Sequence, residues 1–127
     1  MQQQVQSVEF FNVGYDVHIT RAEHWTESES SPITLLEWLR YIASDIELRL
    51  DNFAEVGVDG ATVRYDNDGL AVWTAFSGHG QNGNMAWFDY RNGEIVVKNP
   101  SEELLGKMKR IATVLHANVI GDDGEFY

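Results

Sequence analysis

The feature that most constrains the fold is a pair of β-prone runs joined by a two-residue turn, AWFDYRNGEIVVK, at residues 86–98. Asn-Gly favours a two-residue hairpin turn because both central residues take a positive φ, which Asn and Gly tolerate. A second signal of this kind is Asp59-Gly60, which lies between the β-prone runs 56–58 and 61–65. Two such hairpins predict an antiparallel sheet.

Further strands are predicted where apolar and polar residues alternate. Within 15–20, apolar residues alternate with Asp16, His18 and Thr20. This pattern predicts a half-buried strand that carries the three polar side chains on the solvent face of an edge strand. Other β-prone runs lie at 46–50, 70–76 and 117–120, and a shorter strand is expected at 8–11.

A first helix is predicted to begin at Leu35 and to end near Asp45. Thr34 and Glu37 form a capping box, in which each side chain satisfies a free backbone N–H group of the other residue. Apolar residues at helical spacing form a stripe that should pack on the sheet, with two more residues widening it. The stripe consists of Leu35, Leu39 and Ile42, widened by Leu36 and Ala43.

A second helix is predicted after Asn99, which suits the N-cap, with Pro100 at the first helical position and an end near His116. Its apolar stripe consists of Leu104, Leu105, Met108, Ile111, Ala112 and Leu115. Its three basic residues, Lys107, Lys109 and Arg110, lie towards the C-terminal half, where they suit the helix dipole.

The order of these elements is β-α-β-meander-α-β, which predicts an α+β fold with two helices packed on one face of an antiparallel sheet. A chain of 127 residues has the size of one domain, so residues 1–127 are predicted to form a single domain.

Charge and cysteine content remove several classes of function. The chain has 9 Lys and Arg against 20 Asp and Glu, a net charge of −11, which opposes binding to nucleic acid or to an anionic membrane surface. The absence of Cys removes disulfides, thiolate zinc sites and cysteine nucleophiles. The amino terminus lacks the features of a signal peptide, so a cytoplasmic protein is expected.

The string Gly78-His79-Gly80-Gln81-Asn82-Gly83 matches the GxGxxG pattern of dinucleotide sites. Such a site needs a helix directly after the glycines, so that its N-terminal N–H groups meet the pyrophosphate. A β-prone run follows here instead, so the sequence predicts a turn and no cofactor. His79 lies at the apex of this loop.

No metal site is expected either. The run Asp66-Asn67-Asp68-Gly69 resembles part of a calcium loop, but Arg64 and Ala75 would occupy its first and last ligand positions. The chain's histidines, His18, His24, His79 and His116, include no pair at the i, i+3 or i, i+4 spacing of a helical metal site.

Several stretches together resemble a family of small, uncharacterised bacterial α+β proteins: YDVHITRAEHW, PITLLEWLRYIASD, GLAVWT, AWFDYRNGEIVVKNP and GDDGEFY. In size and acidity the chain is also similar in type to the immunity proteins that neutralise bacterial toxins. That similarity implies a non-catalytic protein that holds a basic protein partner through acidic loops.

The predicted partner contacts lie in three loops and at the glycine turn. They are Glu27 and Glu29 in the loop 23–31 that Trp25 holds, then Asp66, Asp68, His79, Asp122, Asp123 and Glu125. The alternative is a small hydrolase or ligand-binding domain with a pocket between helices and sheet. This alternative requires Asp16, His18 and His79 to meet in one cleft.

Overall fold

A computed structural model describes residues 14–127 and confirms the α+β fold. Its strands are β1 Asp16–Thr20, β2 Leu48–Leu50, β3 Phe53–Val58, β4 Ala61–Asp66, β5 Ala71–Trp73, β6 Trp87–Arg91, β7 Glu94–Lys98 and β8 Asn118–Gly121. Its helices are α1 Leu35–Ser44 and α2 Glu102–Leu115, with short 3₁₀ helices at Trp25–Ser30 and Gln81–Gly83. The strand expected at 8–11 lies outside the described residues.

Six strands form one antiparallel sheet in the order β2-β5-β6-β7-β1-β8. The β6–β7 hairpin is confirmed, and its turn residues Asn92 and Gly93 have φ values of 49° and 88°. The hairpin around Asp59 and Gly60 is also confirmed, with positive φ at both residues. It differs from expectation in forming a separate two-stranded sheet of β3 and β4. The predicted run 70–76 is shortened to β5 because a turn begins after Trp73.

The main core lies between the two helices and one face of the large sheet. Residues of β1, β6 and β7 that point to this face are buried against both helices, with Trp38 of α1 and Met108 and Ile111 of α2 at 0% exposure. The strand residues are Val17, Ile19, Phe88, Ile95 and Val97. Because side chains alternate along a strand, the intervening residues point to the opposite face.

Helix α1 begins with the predicted capping box. The Glu37 backbone N–H donates to Thr34 Oγ1 over 3.1 Å, and the Thr34 N–H donates to Glu37 Oε1 over 3.0 Å. The predicted widening of its apolar stripe is wrong, since Leu36 is 55% exposed and Ala43 is exposed. The helix is instead oriented by Trp38, which is fully buried and donates its indole N–H to the Gly69 carbonyl over 2.7 Å.

Helix α2 begins later than predicted. Asn99 has a φ of 45°, whereas an N-cap residue needs an extended backbone. Its backbone N–H and side-chain oxygen bond to the backbone of Tyr15, over 2.7 Å and 2.9 Å, so it fastens the chain ahead of the helix to the start of β1. Ser101 is the N-cap, with its hydroxyl oxygen accepting from the Leu104 N–H. The predicted end is confirmed, because His116 terminates the helix in the left-handed conformation.

Replacing Ser101 with alanine tests whether Ser101 is the N-cap of α2. We expect Ser101→Ala to lower the free energy of unfolding by about 1 kcal/mol, because one N–H group of the first turn loses its partner. Urea-induced unfolding measures the loss, and Ser101→Asp, which retains a capping oxygen, serves as the matched control. Equal stability of Ser101→Ala and the unchanged chain would show that Ser101 does not cap the helix.

The predicted exposure of β1 is wrong. β1 is an interior strand, paired with β7 on one side and β8 on the other. On the face away from the helices, His18 is 3% exposed and Thr20 is 0% exposed. His18 and Thr20 are buried because the 3₁₀ helix Trp25–Ser30 covers this face of the sheet. This helix lies in the stretch 23–31, for which the sequence predicts a loop. The polar residues of β1 therefore lie under a second, smaller layer of the protein.

Among residues 14–127, α2 is the longest helix, with 14 residues, and no helix has both the length and the apolar character needed to cross a membrane.

Candidate functional site

Two carboxylates flank His18 on the covered face of the sheet. His18 pairs directly with Val96 of β7 and Ile120 of β8. Glu94 and Asp122 each lie two residues along from those partners. Since side chains on a strand repeat their direction every two residues, both carboxylates point to the same face as His18.

The imidazole of His18 bonds to both carboxylates. Its Nδ1 lies 2.6 Å from Glu94 Oε1, and its Nε2 lies 2.8 Å from Asp122 Oδ1. Ionised carboxylates only accept hydrogen bonds, so the charged imidazolium, which donates from both nitrogens, satisfies the arrangement. Burial alone would lower the pKa of His18, but the hydrogen bonds and charges of Glu94 and Asp122 outweigh it and raise the pKa above 6.5. With His18 in the charged form that its two carboxylate partners favour, the charged cluster of His18, Glu94 and Asp122 carries a net charge of about −1.

Trp25 covers the His18 side of the cluster. Its indole stacks on the His18 ring with a centroid separation of 4.3 Å and an interplanar angle of 4°. An aromatic face attracts a cation, so this contact also favours the charged form of His18. The indole N–H donates to the Asp122 carbonyl over 3.1 Å, and Asp122 Oδ2 accepts from the Asp16 N–H over 2.8 Å. Trp25 thereby joins the 3₁₀ helix to the loop that follows β8.

The 3₁₀ helix is also fixed to β1 directly. Its buried Ser28 hydroxyl lies 2.7 Å from Thr20 Oγ1 and donates to the Trp25 carbonyl over 2.6 Å. With Trp25 and Ser28 turned inward, the intervening and following residues Glu27 and Glu29 are exposed. Two of the predicted contacts are thus presented on a fixed element rather than on a loose loop.

A narrow cleft of about 130 Å³ opens between the 3₁₀ helix and the β6–β7 turn. It is lined by Trp25, Thr26, Ser28, Glu29, Asn92 and Glu94, and is called the Glu94 cleft below. Gly93 allows this close approach, because a Cβ there would lie 2.8 Å from the Ser28 carbonyl oxygen and 2.9 Å from Pro32 Cβ. The Gly93 carbonyl also accepts from the Ile33 N–H over 2.9 Å, which fastens the turn to the start of α1.

The predicted acidic contacts divide into exposed and internally bonded groups. Glu27, Glu29 and Asp123 are exposed, and within residues 14–127 none of them forms an ion pair. Asp122 is half-buried and bonded to His18, so it supports the site from within. Glu125 accepts from the Tyr15 hydroxyl, and this hydrogen bond lowers the pKa of Glu125.

Asp66 and Asp68 lie on the other side of the β6–β7 turn. They line a second cavity of about 390 Å³. Asn92 lines both this cavity and the Glu94 cleft, so it lies between the two groups of acidic residues. Asp66 is paired with Arg64 over 2.8 Å, whereas Asp68 is exposed and forms no ion pair among the described residues.

His79 lies apart from these residues. Its glycine loop joins antiparallel β5 and β6 and is followed by strand β6, so the GxGxxG string is a turn, as predicted. The loop is fastened to the start of α2, where the Ser77 N–H and hydroxyl both donate to Glu103. No bond described for residues 14–127 joins His79 to the other predicted contacts, and its Nδ1 has no hydrogen-bond partner there.

The three residues of the hydrolase hypothesis are not brought into one cleft. Both ring nitrogens of His18 are bonded to carboxylates, and Asp16 pairs with Lys98 over 3.5 Å. None of the cavities described for residues 14–127 is lined by both His18 and His79. The charged cluster also lies on the sheet face opposite the helices, whereas the hydrolase hypothesis places its pocket between the helices and the sheet.

Within the part of the chain that the structure describes, no group of three or more His, Asp or Glu side chains is arranged to hold a metal ion. Comparison with protein-family models, curated proteins and solved structures finds no match to this chain.

Proposed function

We propose that this chain is a non-catalytic binding protein of the immunity type, which neutralises a bacterial toxin or another basic protein. It would hold that partner against the acidic surface, defined as Glu27, Glu29 and Asp123 around the Glu94 cleft. The observation that carries the proposal is the hydrogen bond from the Trp25 indole to the Asp122 carbonyl. It fixes the 3₁₀ helix and the loop after β8 side by side, so that their free carboxylates act as one surface.

The charge of the surface supports a basic partner. Its carboxylates form no ion pairs within the described residues, and the chain as a whole carries −11. Such a field accelerates encounter with an oppositely charged protein and disfavours acidic competitors. Asp66 and Asp68, which lie beyond Asn92, extend the negative region.

The construction of the surface also suits binding better than catalysis. A general base needs an available lone pair, whereas both nitrogens of His18 already bond to carboxylates. These bonds and the Trp25 stack hold the site rigid. A preformed surface loses less conformational entropy on association, which favours a tight complex.

Removal of the three charges of the acidic surface should abolish capture of the partner. The variant Glu27→Gln, Glu29→Gln, Asp123→Asn removes three negative charges and changes the net charge from −11 to −8. We expect the unchanged chain to retain a basic protein from a low-salt lysate of the source organism, and the variant to lose it. For the purified pair, the association rate should fall about tenfold or more between low and high salt, since steering is screened.

The matched control is Glu55→Gln, Asp59→Asn, Glu102→Gln, which removes the same charge from exposed positions on the β3–β4 hairpin and α2. This control should retain the partner. Equal retention by both triple variants would place the interface elsewhere, and an association rate that does not change with salt would contradict the steering.

A further inference from the structure

The base of the Glu94 cleft is a carboxylate that is almost removed from solvent. Glu94 is 8% exposed, and one of its oxygens bonds to His18. Its other oxygen forms no hydrogen bond within residues 14–127, and the side chain lines the cleft. A carboxylate oxygen that lies against an open cleft can accept a donor from outside the chain. Exposed carboxylates at the rim of an interface contribute less than such a group.

The size of the cleft limits what can enter it. Sites for drug-sized molecules and cofactors have volumes of about 300–1,000 Å³. The cleft has about 130 Å³, which suits the end of one side chain instead.

The charge of the cleft favours a cation over an anion. The His18 cluster carries about −1, since one imidazolium lies between two carboxylates, and Glu29 at the rim adds a second negative charge. A monovalent cation would lower this charge without reversing it. An anionic group would instead face two uncompensated carboxylates.

The walls favour a guanidinium group over an ammonium group. Trp25 is the aromatic residue of the lining, and the remaining residues are polar: Thr26, Ser28, Glu29, Asn92 and Glu94. A guanidinium is planar and presents five N–H donors, which suits a narrow cleft with several polar acceptors. It is also less strongly hydrated than an ammonium, so it loses less on entering a confined site.

We propose that the Glu94 cleft is a receptor for one arginine side chain, which serves as the anchor residue of the basic partner. This rests on the proposed function, because it assigns the central contact of the same surface. The arginine would donate to Glu94 at the base and to Glu29 at the rim. The remaining acidic residues would steer the partner without contacting the anchor.

The test uses small probes, so it does not depend on finding the partner. N-acetyl-arginine methylamide is titrated into the ¹⁵N-labelled full chain, and NMR signals of the Trp25 indole N–H and the Asn92 side-chain amide are followed. We expect saturable shifts with a Kd of about 1 mM. N-acetyl-citrulline methylamide, which has nearly the same shape but no charge, should cause none. N-acetyl-lysine methylamide should bind several-fold more weakly, by about fivefold.

Variants identify the carboxylates involved. Glu94→Gln should weaken arginine binding about tenfold, because it removes an ionised acceptor. Since Glu94 also bonds to His18, Glu29→Gln is the second variant; it is exposed, should leave the fold intact and should weaken binding severalfold. Glu55→Gln, an exposed change on β3, should bind as the unchanged chain does.

Equal shifts with citrulline or lysine, or full affinity in Glu29→Gln and in any folded Glu94→Gln, would overturn the arginine receptor. That result would leave partner capture by the acidic surface unaffected. If both triple variants lost the partner, or if both retained it, the proposed function would be contradicted. Neither result would test the arginine receptor.

Discussion

Replacement of His18 by leucine is expected to lower the free energy of unfolding by about 3–5 kcal/mol at neutral pH. The substitution leaves the Glu94 carboxylate buried without its cationic partner, at 8% exposure, and leaves Asp122 half-buried. Removing one member of a buried ion pair is strongly destabilising, whereas removing both is much less so. Urea-induced unfolding measures the loss. The double variant His18→Leu, Glu94→Leu is the control and should recover most of it.

The same interaction makes stability depend on pH. The pKa of His18 in the folded chain is raised above 6.5. A raised pKa means that the folded state binds the proton more tightly than the unfolded state does. The stabilisation is therefore complete below about pH 6.5 and is lost as the pH rises through the folded-state pKa. The unchanged chain should lose stability above neutral pH more steeply than His18→Leu, and parallel pH profiles would contradict the charged form of His18.

The second large effect concerns the glycine beneath the cleft. Gly93→Ala is expected to cost about 2–4 kcal/mol, since alanine is strained at a φ of 88° and its Cβ would meet the Ser28 carbonyl and Pro32. Gly60 is the matched control. It occupies the same turn position in the β3–β4 hairpin, with a φ of 79°, but its added Cβ would meet nothing within 4 Å.

Gly60→Ala should therefore cost only about 1 kcal/mol, which reflects the backbone strain alone. Chemical unfolding of both variants gives the comparison. The Gly93 variant should also bind the arginine probe more weakly, because displacement of the 3₁₀ helix moves Trp25 and Glu29 away from Glu94. Equal losses of stability in the two variants would show that the contact with Ser28 and Pro32 has no role.

The hairpins and the start of α1 could be predicted from the sequence because each depends on neighbouring residues. Asn92 and Gly93 determine their turn by themselves, and Thr34 and Glu37 cap α1 within one helical turn. The start of α2 was displaced by a distant contact. Asn99 has the chemistry of a cap, but its side chain bonds to Tyr15, 84 residues earlier.

The environment of β1 could not be predicted from its own alternation. A polar face is typical of an exposed edge strand, but β7, β8 and Trp25 bury it, and the carboxylates that bond to His18 are 76 and 104 residues away. Glu94 did carry a signal, because it directly precedes the apolar run IVV. An acidic residue at the start of a buried strand indicates a buried partner.

Lys107 carried a similar signal. It lies within the apolar stripe of α2, between Leu104 and Met108, although its position beside other basic residues predicts an interaction with the helix dipole. The structure buries it at 4% exposure, and its ammonium bonds to Asp45 and Glu47 over 2.7 Å and 2.9 Å. A charged residue on an apolar face is thus more informative about a distant partner than about its own helix.

The position of β1 between β7 and β8 has a consequence for synthesis on the ribosome. A nascent chain emerges from its amino-terminal end, so β1 leaves the exit tunnel long before β8 and the Asp122 loop are translated. Until then, His18 lacks one carboxylate partner, Trp25 lacks its carbonyl acceptor, and one edge of β1 is open. Pairings between such distant segments close slowly. The acidic surface is therefore assembled among the last parts of the molecule, and an incomplete chain would emerge without it.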